Sequence, residues 1–195
     1  MTRLLLVRHG ETAWNVEGRY QGQADPPLNE RGQAQAAQLA GRLAGAGIDV
    51  IYASPLRRAL QTAEAIARRT GAPVRTDPRL MEIHQGRWQE QLVTDIQANY
   101  PELFARWQAD PWRSHPPEGE SLTAVQQRVS AAVDDILAGH RGQTVALVTH
   151  RIPIGLIKMR FQDWDENITR AWELPNVYVE EINVADPSEI TDEAS

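Results

Sequence analysis

Three short clusters carry side chains that are able to bind an anion, and each follows an apolar run of the chain. They are Arg8-His9-Gly10, Ser54–Arg58 and Thr149-His150. A guanidinium fork matches the oxygens of a phosphate or a carboxylate, and a neutral imidazole is a nucleophile. A histidine at the end of a strand is more often structural than reactive, so each cluster alone is a weak signal. Two histidines and several arginines together point to one shared anion.

The apolar runs before these clusters are predicted to be strands. Arg3–Arg8 and Ile48–Ala53 are short and end at the polar clusters. Thr144–Thr149 is continuously apolar and rich in valine, which is typical of a central strand covered on both faces. Val74–Thr76 and Val177–Val184 are predicted as two further strands, the second with an alternating pattern.

Helix signals lie between the predicted strands. Asn29 is a suitable N-cap for a helix that runs to about Ala44, and Ser54-Pro55 begins one that ends at Gly71. The remaining helices are predicted as two pieces within 90–109 divided at Pro101, one from Glu120-Ser121 to about Gly139-His140, and one with Pro153 in its first turn. Strands that alternate with helices predict an α/β fold, with three α/β/α layers and a largely parallel sheet. Ligands bind such sheets at the carboxyl ends of the strands, where the three clusters lie.

Length, composition and charge exclude several classes of protein. The chain has 195 residues, which predicts one domain over 1–185 and an acidic tail at 186–195 with no basic residue. The absence of cysteine excludes disulfide scaffolds and thiolate chemistry. The apolar runs are too short for a membrane span or a signal peptide, and no basic stripe indicates nucleic acid. We therefore expect a cytoplasmic protein with no membrane or nucleic-acid partner.

Six segments extend the pattern and resemble the histidine phosphatase superfamily, also called the phosphoglycerate mutase-like family. They follow the order and spacing of that family as far as about residue 160, and they are most similar to its broad-specificity phosphatase branch. The segments are LVRHGETAWN (Leu6–Asn15), GRYQGQADPPLNERGQAQA (Gly18–Ala36), IYASPLRRALQTAEAI (Ile51–Ile66), RLMEIHQGRW (Arg79–Trp88), PPEGES (Pro116–Ser121) and ALVTH (Ala146–His150).

The resemblance implies a metal-independent phosphatase that acts on a small phosphorylated metabolite. His9 matches the nucleophile, whose imidazole becomes a phosphohistidine. Glu82 matches the general acid that protonates the leaving alkoxide and then the base that activates water. Without the family pattern, Glu82 would be read as a surface carboxylate at the end of a strand.

The resemblance also implies a positively charged pocket for the phosphate. Arg8, Arg58 and His150 match its cationic residues, Asn15 matches a contact from an amide, and Gln21 matches a further contact. Because these fixed groups supply the positive charge, neither a metal nor a cofactor is expected. The neighbouring Arg57 is expected in solvent, since consecutive helical residues point about 100° apart.

Two positions depart from the family pattern. Arg151 follows the second histidine, where the family usually has glycine. Its side chain either reaches the rim of the pocket and favours substrates with a second anionic group, or turns to solvent. Trp88-Gln89-Glu90 replaces the usual Trp-Glu-Gly, which bears on the shape of a lid-like helical insertion expected at about 90–118.

Several functions remain open at this point. A phosphoglycerate mutase would share the phosphohistidine, and phosphatases for α-ribazole phosphate or a sugar phosphate would share every catalytic residue. Mutases of the family typically carry paired arginines in a longer segment after the acid. A module that only binds phosphorylated ligands would have no chemical need for both His9 and Glu82, and a homodimer is left open. The arginines between Glu82 and His150 are all separated: Arg87, Arg106, Arg113, Arg128 and Arg141.

Overall fold

A five-stranded sheet forms the centre of the protein in a computed structural model, which describes residues 1–162 and 168–185. The strand order is β3-β2-β4-β1-β5, and every neighbouring pair is parallel except β1 and β5. The predicted, largely parallel sheet is therefore confirmed. The strands are β1 (Thr2–Arg8), β2 (Val50–Ala53), β3 (Val74–Thr76), β4 (Thr144–Thr149) and β5 (Val179–Val184).

Alternation along the two central strands divides the core into two apolar layers. Leu4 and Leu6 of β1 pack on one face of the sheet, and Leu5 and Val7 pack on the other. Successive strand residues point to opposite faces, so a continuously apolar strand needs cover on both sides. Each fully buried leucine of this kind stabilises the fold by about 1.5–3 kcal/mol.

Seven α-helices lie along the described chain and supply this cover. Helices α2 and α3 pack on the face of Leu5 and Val7, while α6 and α7 pack on the opposite face, so the predicted three layers are confirmed. None of the described helices has the length and apolarity to cross a bilayer. The helices are α1 (Ala13–Glu17), α2 (Glu30–Leu43), α3 (Arg57–Thr70), α4 (Val93–Asn99), α5 (Pro101–Ala109), α6 (Leu122–Gly139) and α7 (Arg151–Phe161).

The element boundaries follow local capping chemistry. Asn29 caps α2 as predicted, its side chain accepting a hydrogen bond from the backbone of Gly32 at 2.7 Å, and Gly71 ends α3 with a φ of 76°. The final strand begins at Val179 instead of the predicted Val177. The reason is that Val177 has a φ of 52°, a left-handed conformation that does not fit a strand.

The segment predicted as a helical insertion holds α4 and α5, divided as predicted before Pro101. It packs on the buried Trp88, whose ring centroid lies 5.9 Å from that of Phe104 and 6.4 Å from that of Trp107. Its role as a lid stays a prediction. The predicted acidic tail at 186–195 lies outside the described residues.

Candidate active site

The order of the strands brings the three polar clusters together. Strands β2, β4 and β1 are parallel neighbours, so their carboxyl ends meet at one edge of the sheet. The backbone N–H of His9 donates to the carbonyl of Thr149 at 3.2 Å. The ring centroids of His9 and His150 lie 5.1 Å apart. The predicted convergence of the two histidines is therefore present.

The surroundings of His9 determine the protonation of its ring. Nδ1 lies 2.7 Å from the carbonyl oxygen of Gly10. A carbonyl can only accept, so Nδ1 carries the proton and Nε2 keeps its lone pair. Burial, followed by the charges of Arg58 and Arg8, holds the pKa of His9 well below its usual value of 6.5. The ring is therefore neutral, and its tautomer leaves the Nε2 lone pair free.

Gly10 brings the backbone of this site against a helix. A Cβ at Gly10 would lie 2.6 Å from the carbonyl oxygen of Gly32 in α2, so any side chain would displace one backbone or the other. The N–H of Gly10 donates to Thr62 Oγ1 of α3 at 3.1 Å. Two helices thus hold the residue that orients the His9 ring.

His150 is fully buried and held by Ser54 at the end of β2. Its Nε2 lies 2.8 Å from Ser54 Oγ, and that oxygen already accepts from the backbone N–H of Leu56 at 3.3 Å. This arrangement favours donation from the serine hydroxyl to Nε2, with the ring proton on Nδ1. Nδ1 is buried and has no partner among the described residues. In this tautomer, Nδ1 would offer an N–H donor to an anion.

Two buried arginines supply positive charge, and neither forms a salt bridge within the part of the chain that the structure describes. Arg58 donates to the carbonyls of Ala24 at 2.8 Å and Gly22 at 2.7 Å, and Arg8 donates to the carbonyl of Leu174. Burial, together with the charge of Arg151, lowers the pKa of Arg8 to about 9, and burial lowers that of Arg58 to about 10. Carbonyls orient these guanidinium groups, and the nearby carboxylates offset the effect of burial only in part, a condition that an anion would relieve.

Glu82 is half-buried and lines the same cavity as Arg8 and Arg58. Burial raises its pKa, while a hydrogen bond from the N–H of Ile83 at 3.0 Å and the charges of Arg58 and Arg128 oppose that rise. Arg128 also fixes the backbone, donating to the carbonyl of Glu82 at 2.9 Å and to that of Met81 at 2.6 Å. A carboxyl with a raised pKa is suited to proton donation.

These side chains border one cavity of about 620 Å³. The two histidines lie next to its arginines and are almost fully buried, His9 with 4% and His150 with 0% of its surface exposed. Tyr20, Phe104 and Trp107 form an aromatic side of the cavity. Six of the eight predicted site residues line it: Arg8, Asn15, Gln21, Arg58, Glu82 and Arg151.

The structure shows where the two residues that depart from the family pattern, Arg151 and Glu90, are placed. Arg151 lines the cavity, with its Nε 3.3 Å from the carbonyl oxygen of Leu174, so its side chain is not turned away to solvent. Burial lowers its pKa. Glu90 has a φ of 70°, the left-handed conformation that favours glycine. Arg57 is exposed and Arg58 buried, as expected of the pair.

Five residues that hold the site were not assigned such a role from sequence. Ser54 belonged to a predicted cluster, but its bond to His150 depends on strand order. The others meet the site from distant parts of the chain, which spacing alone does not reveal. The five are Ser54, Thr62, Glu120, Arg128 and Asn176.

The fold and the site together define an α/β protein of the phosphoryl-transfer class. The family model described as "Histidine phosphatase superfamily (branch 1)" matches residues 4–190. The chain belongs to this superfamily, and the predicted resemblance is confirmed.

Similar proteins include phosphatases and a probable mutase. The chain is 43% identical to phosphoserine phosphatase 1 of Hydrogenobacter thermophilus over 79% of this chain and 73% of that one. It is 39% identical to a probable phosphoglycerate mutase, GpmB, of an Enterobacter species over 80% and 73%. Among solved structures, Bacillus stearothermophilus YhfR is 38% identical with a TM-score of 0.86, over 95% of this chain and 92% of that one. Family and relatives support the predicted hydrolysis of phosphoric monoesters.

Proposed function

We propose that this protein is a metal-independent phosphatase that hydrolyses small phosphate monoesters through a phosphohistidine at His9. The observation that carries the proposal is the hydrogen bond from His9 Nδ1 to Gly10, which leaves Nε2 free beside two buried arginines. A phosphate monoester is about doubly negative at neutral pH. Arg8 and Arg58 neutralise that charge, so an uncharged nucleophile can approach the phosphorus.

In the first step, the Nε2 lone pair of His9 attacks phosphorus. The bond from phosphorus to the leaving oxygen breaks, and its electron pair stays on that oxygen. Glu82 donates its proton there, so the alcohol departs neutral and His9 carries the phosphoryl group. The Gly10 carbonyl stabilises the charge that develops on the ring through the Nδ1 proton.

In the second step, the ionised Glu82 takes a proton from water as the water oxygen bonds to phosphorus. The nitrogen–phosphorus bond breaks and its electron pair returns to Nε2. Inorganic phosphate leaves, and Glu82 is protonated for the next cycle. Asn15, Gln21 and His150 supply neutral contacts to the phosphate oxygens, with positioning and electrostatics carrying most of the acceleration.

The composition of the cavity wall favours hydrolysis over the mutase reaction. None of the five arginines between Glu82 and His150 belongs to that wall in the part of the chain that the structure describes. A mutase must retain its substrate while the phosphoryl group returns, and the paired arginines expected for that grip have no counterpart here.

Arg151 gives the site a third guanidinium for a second anionic group on the substrate. Arg8 and Arg58 together match the two charges of one phosphate. Apart from Glu82, the proposed acid, the other charged wall residues are already paired, Arg19 with Glu17 at 3.0 Å and Glu11 with Arg31 at 3.5 Å. We therefore expect the enzyme to prefer phosphate esters that also carry a carboxylate or a second phosphate.

We further propose the partner and the location of the enzyme. The partner is a small phosphorylated metabolite, the location is the cytoplasm, and a homodimer stays open. The non-enzymatic alternative is a module that binds phosphorylated ligands without hydrolysing them.

The test measures phosphate release from p-nitrophenyl phosphate with EDTA present. His9→Ala is expected to abolish turnover without unfolding, because it removes the attacking nitrogen. His115→Ala, which removes an exposed histidine of a loop, is the matched control and keeps full activity. Mass spectrometry of quenched wild-type enzyme should detect one added phosphoryl group on His9. Turnover retained by His9→Ala would exclude the phosphohistidine mechanism.

A further inference from the structure

A turn just before β5 contacts the backbone of the proposed nucleophile. Asn176 Nδ2 donates to the carbonyl oxygen of His9 at 3.1 Å. The backbone N–H of Val177 donates to the same oxygen at 3.3 Å, and the carbonyl of the next residue accepts from the N–H of Arg8 at 3.0 Å. The turn therefore grips both Arg8 and His9 at the end of β1.

The same amide of Asn176 also reaches Asn15. Asn15 Oδ1 lies 3.3 Å from Asn176 Nδ2, and it accepts from the backbone N–H of Thr12 at 3.0 Å and from the Thr12 hydroxyl at 3.2 Å. A nitrogen in that position would face three donors, so the orientation of the Asn15 amide is determined. Asn15 Nδ2 then points away from these donors and has no acceptor among the described residues.

The backbone of the turn is strained. Val177 has a φ of 52°, which is unfavourable for a β-branched residue and persists only where surrounding contacts impose it. The bond from its N–H to the His9 carbonyl is one such contact. Strain of this kind is concentrated at functional sites, and here it falls on the residue after Asn176.

We propose that Asn176 is a positioning residue that holds the nucleophile and the phosphate-binding amide in register. One of its N–H groups fixes the backbone of His9, and the other fixes the oxygen of Asn15. Asn15 Nδ2 is thereby directed at a phosphate oxygen while Nε2 of His9 faces phosphorus. This inference rests on the proposed roles of His9 and Asn15.

The test replaces Asn176 with leucine, which is similar in shape but has no donor. Turnover of p-nitrophenyl phosphate and competitive inhibition by inorganic phosphate are measured in wild type and in an Asn15→Ala background. We expect kcat to fall about 10- to 100-fold in the wild-type background, since small misplacements have effects of that size. The inhibition constant for phosphate should rise in parallel. In the Asn15→Ala background both effects should shrink to a few-fold, because coupled residues are not additive.

Asn183→Leu is the matched control, since Asn183 lies exposed on β5 away from the cavity. It should keep wild-type kcat and phosphate inhibition. Thermal unfolding is followed for all variants, and Asn176→Ala serves as a second variant with less bulk. Equal losses in both backgrounds, or wild-type kinetics in both Asn176 variants, would overturn the inference. Retained turnover in His9→Ala would instead remove the proposed function on which it rests.

Discussion

At the scale of single residues, the site is defined by buried positive charges that form no salt bridge with a carboxylate among the described residues. Arg8 and Arg58 are oriented by backbone carbonyls, and both pKa values are lowered, to about 9 and about 10. A buried ion pair would have neutralised these groups and left no attraction for a substrate. Because carbonyls orient the arginines and the nearby carboxylates offset their burial only in part, an anion that enters the cavity is attracted to both.

The third guanidinium predicts a substrate preference. Glycerol 1-phosphate and 3-phosphoglycerate differ only in a hydroxymethyl group and a carboxylate, so they form a matched pair. In Arg151→Gln, we expect the ratio of kcat/KM for 3-phosphoglycerate to that for glycerol 1-phosphate to fall about 10- to 100-fold, the worth of a hydrogen bond between charged groups.

A second matched pair, propane-1,3-diol bisphosphate and its monophosphate, tests a second phosphate in place of the carboxylate. The ratio of kcat/KM for the bisphosphate to that for the monophosphate should fall in Arg151→Gln in the same way. The corresponding substitution in the exposed neighbour of Arg58, Arg57→Gln, should leave both ratios unchanged. If Arg151→Gln alters neither ratio, the assignment of Arg151 to a second anion is wrong.

At the scale of elements, one helix positions the proposed acid. Arg128 of α6 donates to the carbonyls of Arg79, Met81 and Glu82. It is paired with Glu120 at 2.9 Å, and Glu120 accepts from the N–H of His84 at 2.7 Å. This network anchors the backbone on both sides of Glu82. The positive charge of Arg128 also lowers the pKa of Glu82, which burial raises.

This network predicts a change in pH dependence. In the proposed mechanism Glu82 is protonated in the first step, so activity on an ester with a poor leaving group should fall as pH rises through its pKa. In Arg128→Met the pKa of Glu82 should rise, because a positive charge is lost, and the decline should move to higher pH. The pH profile of glycerol 1-phosphate hydrolysis measures this shift.

The control is Arg106→Met, an exposed arginine of α5. It should leave the profile in place. A lower rate in Arg128→Met with an unmoved profile would assign Arg128 a purely structural role.

At the scale of the whole molecule, burying two histidines lowers the free energy of unfolding at acidic pH. The pKa values of His9 and His150 lie well below 6.5 in the fold, chiefly through burial. Below about pH 6.5 the unfolded chain therefore binds protons that the folded protein does not, and the stability of the fold decreases as the pH is lowered further. Each histidine contributes a slope of up to about 1.4 kcal/mol per pH unit.

Urea unfolding of the protein between pH 7.5 and 5.5 measures this slope. His9→Asn should lose part of it, because one of the two buried histidines is removed. Glu82 acts in the opposite direction, since its raised pKa disfavours the ionised form in the fold. The difference between wild type and variant isolates the histidine, and equal slopes in the two proteins would contradict the prediction.

The elements were predictable because their signals are local. The apolar run of β4, the Asn29 cap of α2 and the division before Pro101 each depend on residues close in sequence. The bounds of an element differ from the prediction where a non-local contact sets the backbone conformation. Val177 is an example, since its left-handed conformation is held by the His9 carbonyl. The six segments that resemble the family also located the proposed nucleophile, acid and cationic residues.

By itself, the sequence determined the fold class, the family and the residue types that meet at the carboxyl edge of the sheet. Tertiary structure alone decided how those residues are held. Ser54 reaches His150, Arg128 reaches Glu82 and Asn176 reaches His9 from distant parts of the chain. These contacts depend on strand order and helix packing, which no spacing encodes. The tautomer of His9 and the inward direction of Arg151 were decided in the same way, since burial and hydrogen-bond partners exist only in the folded chain.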